Sequence, residues 1–250
     1  MRFRAFWFVA LFSLLFSGVV MAQETSDMAV ESGEVEVVSG GQAYLSYLAA
    51  PAEDGPYPGV VLIHSFNGLE DGYRTMTDRL AAERFVVLAV GWQTFERSPT
   101  DETMAQLLQD SVAFLSARED VDTEKLGLTG FCAGGRYTML FLPQMQAFGA
   151  GVAWYGFPYG GETQPANLID DLAAPMLIIH GTEDEPSPIA DIYRYAAALD
   201  EAGKYFELKV YFGEPHGFML SSGQLREDEV AQDAFQQMAS FFKRKLGAAS

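Results

Sequence analysis

Two hydrophobic periodicities alternate along the chain. Gly59 to His64 is a continuous apolar run, the pattern of a strand covered on both faces, and Asp71 to Glu83 behind it repeats its apolar residues at helical spacing. The pairing recurs: strand Phe85 to Val90 with helix Thr100 to Ala117, strand Leu126 to Phe131 with helix Ala133 to Gln146, strand Gly149 to Tyr155, strand Pro175 to His180 with helix Pro188 to Ala202, and strand Phe206 to Phe212 with helix Asp228 to Leu246. Upstream, Val35 to Val38 and Ala43 to Leu48 alternate on either side of Ser39-Gly40-Gly41-Gln42, which predicts an edge hairpin. Strands alternating with helices predict a doubly wound, mostly parallel α/β sheet with helices on both faces. With no repeat, linker or low-complexity tract, residues 34–250 read as one domain.

The first residues follow neither period. Arg2 and Arg4 precede an apolar stretch from Ala5 to Val20, and Val20-Met21-Ala22 ends in small residues, so residues 1–22 are expected to be a cleaved signal peptide. The apolar stretch is short for a membrane span. Residues 23–33 are polar and acidic, and predict a flexible mature N-terminus. The expected location is therefore periplasmic or secreted, with no stable membrane insertion after cleavage.

Composition adds two constraints. Apolar residues make up 49% of the chain, enough for a sizeable core, and the formal net charge of −18 would become −20 on loss of the two arginines. Such acidity argues against nucleic acid or an anionic membrane as partner. Cys132 is the only cysteine. It can form no internal disulfide, so in an oxidising compartment it is either buried and inert or kept for chemistry.

Its surroundings favour chemistry. Gly130-Phe131-Cys132-Ala133-Gly134-Gly135-Arg136 joins a strand to a helix and carries glycines two residues either side of the thiol, the spacing of a nucleophile elbow. Two later strand ends supply the other groups, in the chain order nucleophile, acid, histidine: His180-Gly181-Thr182-Glu183-Asp184 and Glu214-Pro215-His216-Gly217-Phe218. A thiol needs a base, which His216 supplies, and Asp184 would orient the imidazole; Glu183 and Glu185 compete with Asp184 for that role. Backbone N–H groups of Ala133 and Phe66 are the expected oxyanion donors. His64 and His180 each end an apolar strand and read as structural. The sequence has no HExxH and no paired Cys/His spacing, so no metal and no cofactor are expected.

Together with Val60-Val61-Leu62-Ile63-His64 and Gly68-Leu69, these motifs resemble the dienelactone hydrolase family from about Gly59 to Leu246. The resemblance implies an α/β-hydrolase fold and hydrolysis of a small carboxylic ester or lactone through an acyl-enzyme on Cys132, completed by Asp184 and His216. Two departures bear on substrate and activation. Ser65 stands where the family often carries a thiol-activating glutamate, with Glu70 a nearby carboxylate to replace it. Leu220 stands where a substrate-binding arginine is expected, leaving Arg97 and Arg136 as substitutes. A neutral ester or lactone is the expected substrate, in a pocket lined by Ser65, Trp92, Tyr155 and Phe157. The alternative is a noncatalytic small-molecule binding protein on a hydrolase scaffold.

Overall fold

The structure, a computed structural model, describes Met1 and residues 28–247. The expected signal peptide, and the expected flexible N-terminus up to residue 27, lie outside the described residues. The remainder of that segment is corrected: strand β1 (Val30–Ser39) pairs along its whole length with β2 (Gln42–Pro51), from Val30 opposite Pro51 to Ser39 opposite Gln42. Main-chain pairing needs no large apolar side chain, so a polar strand of this kind leaves little trace in hydropathy.

Beyond the hairpin come β3 (Tyr57–Ile63), α1 (Asp71–Ala82), β4 (Val86–Val90), α2 (Asp101–Ser116), β5 (Val121–Phe131), α3 (Ala133–Phe141), β6 (Phe148–Trp154), β7 (Met176–Glu183), α4 (Ile189–Glu201), β8 (Phe206–Pro215), the short pair β9 (Leu220–Ser221) and β10 (Gln224–Leu225), and α5 (Glu229–Leu246). Eight strands form one sheet in the order β1-β2-β4-β3-β5-β6-β7-β8. Among the described residues, only the β1–β2 and β2–β4 pairs of this sheet are antiparallel. The order doubles back between β4 and β3, and strands β3 and β5 to β8 send their carboxyl ends to one rim. That rim is where an open α/β sheet binds ligands.

Alternation along each strand builds two cores. In β3, Val61 and Ile63 join a core with Met104 and Leu107 of α2, Tyr137 and Met139 of α3 and Ile192 of α4. Val60 and Leu62 point the other way, to Met76 and Leu80 of α1 and Met238, Phe241 and Phe242 of α5. Helix ends follow their sequence signals. Thr100 caps α2 by accepting the Thr103 N–H, Asp228 caps α5 by accepting the Ala231 N–H, and Gly247 ends α5 in the left-handed conformation at φ 69°.

Helix α3 stops at Phe141, short of the expected Gln146, because Pro143 follows and cannot donate to the helical ladder. A 3-10 turn over Pro165–Asp171 and the β9–β10 pair had no period long enough to predict them. Among the described residues, no helix is long and apolar enough to cross a membrane.

The elbow depends on glycine for lack of room. A Cβ on Gly134 would lie 2.1 Å from the Ile63 carbonyl oxygen, one on Gly130 2.2 Å from that of Gly134, and one on Gly135 2.2 Å from that of Trp154. These are backbone atoms of neighbouring strands and of the turn itself, so they cannot swing aside. Gly134→Ala is expected to cost about 1–3 kcal/mol, as overpacking of a rigid site does. Gly33→Ala, at an open position in β1, is expected to stay within about 0.5 kcal/mol of wild type. Urea unfolding of the two variants checks the difference.

Candidate active site

At the end of β5 the chain turns into α3 through a single strained residue. Cys132 has φ 58° and ψ −111°, a conformation rarely adopted by a residue with a side chain. The turn is held from both sides: the Cys132 N–H donates to the Trp154 carbonyl at 3.1 Å, and its own carbonyl accepts the Arg136 N–H at 3.0 Å. The thiol is part-buried. Ala133 opens α3, so its N–H belongs to the first helical turn, whose donors have no partner within the helix.

The β7 and β8 ends bring the acid and the imidazole together. His216 Nδ1 donates to Asp184 Oδ2 at 2.8 Å. Asp184, 4% exposed, is fixed by the Ser187 N–H, which donates to Oδ1 at 2.7 Å. Glu183 and Glu185 do not occupy this position; Glu183 is exposed at the end of β7, opposite Pro215. His180 supports the carboxylate from below. Its Nε2 donates to the Ser187 carbonyl at 2.8 Å and lies 3.4 Å from Asp184 Oδ2, while burial lowers its pKa and keeps it neutral.

Burial works against charge on His216 as well, but there the neighbours prevail. The Asp184 hydrogen bond, with further help from the Cys132 side chain, raises the pKa to about 9. Nε2 is buried and completes no hydrogen bond among the described residues. Behind the histidine, Arg226 clamps the loop: it donates to Glu214 Oε2 at 2.6 Å and to the Phe218 carbonyl at 2.7 Å, two residues either side of His216. Tyr155, itself at φ 35°, presents its ring to the imidazole at 5.2 Å between centroids.

Cys132 and His216 open onto a cavity of about 460 Å³ whose walls include Ser65, Phe66, Asn67, Glu70, Tyr73, Tyr155, Leu220 and Gly223. A larger depression of about 560 Å³, around Thr182, Glu185 and Pro186, shares only His216 with it and contains no thiol. Of the two, the smaller cavity is the one lined by the thiol. Tyr155 is buried, with its hydroxyl unpartnered. Glu70 precedes α1, and burial raises its carboxyl pKa.

Several expected residues lie elsewhere. Trp92 is corrected from pocket to core: it is 1% exposed, stacks on His64 at 5.2 Å and donates its indole N–H to the His64 carbonyl. Phe157 packs on His216 at 5.4 Å but does not line the cavity. Arg136 is fully engaged. Its guanidinium meets both Asp101 oxygens at 2.8 Å and the carbonyls of Gly160 and Thr163. Arg97 lies over the Phe66 ring, 4.9 Å from its centroid, and is not a lining residue either. Phe66 and Ser65 both line the cavity.

Sequence reading missed Tyr73, Ser187 and Arg226. Tyr73 sits at the helical spacing of an ordinary core residue, and the other two act through contacts with residues distant in the chain or bent back by a turn.

Comparison with known proteins identifies relatives of this chain. A model of the dienelactone hydrolase family matches residues 92–246. A Methylorubrum extorquens protein named "Putative carboxymethylenebutenolidase" is 32% identical over 85% of this chain and 81% of its own length, and an Escherichia coli K12 protein of the same name is 30% identical over 91% and 92%. Among solved structures, one titled "Putative Dienelactone Hydrolase", from Klebsiella pneumoniae, superposes with a TM-score of 0.79 at 27% identity, covering 86% of this chain and 99% of the other. A dienelactone hydrolase-like phosphotriesterase from metagenomic libraries shares the fold, with a TM-score of 0.74 at 19% identity over 88% of this chain and 100% of the other. With its mostly parallel sheet, its α/β-hydrolase fold and these relatives, the chain is a hydrolase and belongs to the dienelactone hydrolase family.

Proposed function

We propose that the protein is an exported hydrolase of small carboxylic esters or lactones that works through a Cys132–His216–Asp184 triad without a cofactor. The observation that carries this reading is the hydrogen bond from His216 to buried Asp184 beside a lone thiol on a strained strand-to-helix turn. The Cys132 sulphur adds to the ester carbonyl, and its proton resides on His216 Nε2. The tetrahedral oxyanion takes hydrogen bonds from the Ala133 and Phe66 N–H groups.

Collapse of this intermediate breaks the carbon–oxygen bond. The leaving alkoxide takes the proton from Nε2, and the acyl group remains on sulphur as a thioester. In the acyl-enzyme the ring is no longer beside a sulphur that can carry negative charge, so it becomes a better base. It then removes a proton from water as that water attacks the thioester. Release of the carboxylic acid returns the proton to sulphur. A lactone follows the same path, with its alcohol still tethered to the acyl group.

Cys132→Ala is expected to lower turnover of an activated short-chain ester by at least about a thousandfold, as loss of a triad nucleophile does, and alkylation of wild type should do the same. Hydrolysis surviving both treatments would sink the cysteine mechanism. A ligand bound unchanged, with no acyl adduct at Cys132 by mass spectrometry, would instead support the binding-protein alternative.

A second prediction follows from His216. Its pKa rises from 6.5 to about 9 in the folded chain, so the folded state holds a proton that the unfolded state releases. The resulting stabilisation is complete below pH 6.5 and is lost as pH rises through about 9. Thermal melts should show the wild-type Tm falling across that window and a smaller fall in His216→Gln. Acylation, which needs the same proton for the leaving alcohol, should also decline as pH rises through about 9.

A further inference from the structure

The walls of the Cys132 cavity carry an uneven set of charges. Among the described residues, no lysine or arginine lines it, and the only carboxylate is Glu70. Among the described residues, Glu70 forms no ion pair and its side chain makes no hydrogen bond, not even the capping bond to α1 that its position would allow. Its carboxylate instead rests against the β9–β10 turn, where a Cβ on Gly223 would come within 3.1 Å of Oε1. Three nearby arginines are paired with other carboxylates. Arg136 is paired with Asp101, Arg226 with Glu214 and Asp228, and Arg74 reaches Glu34 and Asp71. Arg97 lies over the Phe66 ring.

A carboxylate on a substrate would meet the Glu70 charge in a partly dry cleft and find no guanidinium among the lining residues. Leu220 adds an apolar surface beside it. An uncharged acyl chain loses nothing there, and a cationic one gains an ion partner.

We propose that Glu70 is a specificity-determining residue that makes this site take esters and lactones with neutral or cationic substituents and discriminate against those bearing a second carboxylate. The proposal rests on the hydrolase reading above for its reaction, and on the cavity alone for its charge preference. Glu70 lines the same cavity as Cys132 and acts here through its charge on the substrate, so its effect is read as relative kcat/KM between substrates. Like charges a few ångströms apart in a half-wet cleft alter such ratios by on the order of tenfold.

The test uses three nitrophenyl esters of equal acyl length, whose chains end in a methyl group, a carboxylate or a trimethylammonium. Each is measured at neutral pH with the wild-type chain and with Glu70→Gln, and ratios are compared within each protein. Wild type should cleave the carboxylate ester about tenfold less well than the methyl ester, and the ammonium ester at least as well. In Glu70→Gln the carboxylate-to-methyl ratio should rise to within about threefold of unity.

A second arm is independent of turnover: calorimetric binding of the corresponding uncleavable amides to Cys132→Ala, with and without Glu70→Gln, should give the same order of affinities. Absence of hydrolysis with all three esters would sink the triad reading, and the amide affinities would still decide the charge preference. A carboxylate compound preferred by wild type would overturn the proposal, as would a ratio unmoved by Glu70→Gln in both arms. If that preference disappears in Arg97→Gln, control belongs to the guanidinium over Phe66.

Discussion

The strained turn at Cys132 is the constraint on which the site depends. A residue with a side chain at φ 58° persists only where its surroundings over-determine it. Here the surroundings are β3, β6 and α3, which approach so closely that Gly130, Gly134 and Gly135 leave no space for a Cβ. Close approach lets α3 start directly behind the thiol, and the two hydrogen bonds at Cys132 tie the turn to β6 and to the helix. The Cys132 side chain is thereby set at the sheet rim, and its position cannot drift without moving three elements of the core.

The acid and base are held differently. Asp184 and His216 lie on loops, and loops are positioned by hydrogen bonds where packing is thin. Ser187 and His180 immobilise the carboxylate, and Arg226 holds the Glu214 carboxylate on one side of His216 and the Phe218 carbonyl on the other. The carboxylate then decides the protonation of the imidazole against the effect of burial. His64 and His180 make no such hydrogen bond to a carboxylate: His180 Nε2 donates to the Ser187 carbonyl and lies 3.4 Å from Asp184 Oδ2, and burial lowers the pKa of both. Of the three histidines, only His216 has its pKa raised, by the Asp184 hydrogen bond with help from Cys132.

Selectivity has a separate origin from reactivity. Cys132, His216 and Asp184 come from the ends of β5, β8 and β7, whereas Glu70, Tyr73, Leu220 and Gly223 come from α1 and the β9–β10 pair above them. Cations near the site are used to hold loops together. Arg136 ties the 160s loop to α2, and Arg226 ties the histidine loop to α5. The cavity is left with an acidic and apolar wall, and this arrangement separates substrate preference from the reacting groups.

Much was legible in the chain itself. Continuous apolar runs require strands covered on both faces, which determined the parallel sheet and its helices. The glycine spacing about Cys132, the chain order of the three candidate groups and their places at strand ends are one-dimensional facts. What the tertiary structure decided was every choice among equals. Asp184 stood beside Glu183 and Glu185 with nothing local to separate them, until the fold turned Asp184 inward to His216. Trp92 and Tyr155 both end apolar strands, yet one stacks in the core and the other reaches the cavity. Arg136 was available to a substrate until Asp101, thirty-five residues away, took both its terminal nitrogens. Hydropathy reports how much of a residue is covered; contacts between segments far apart in the chain determine what covers it, and those exist only once the chain has closed on itself.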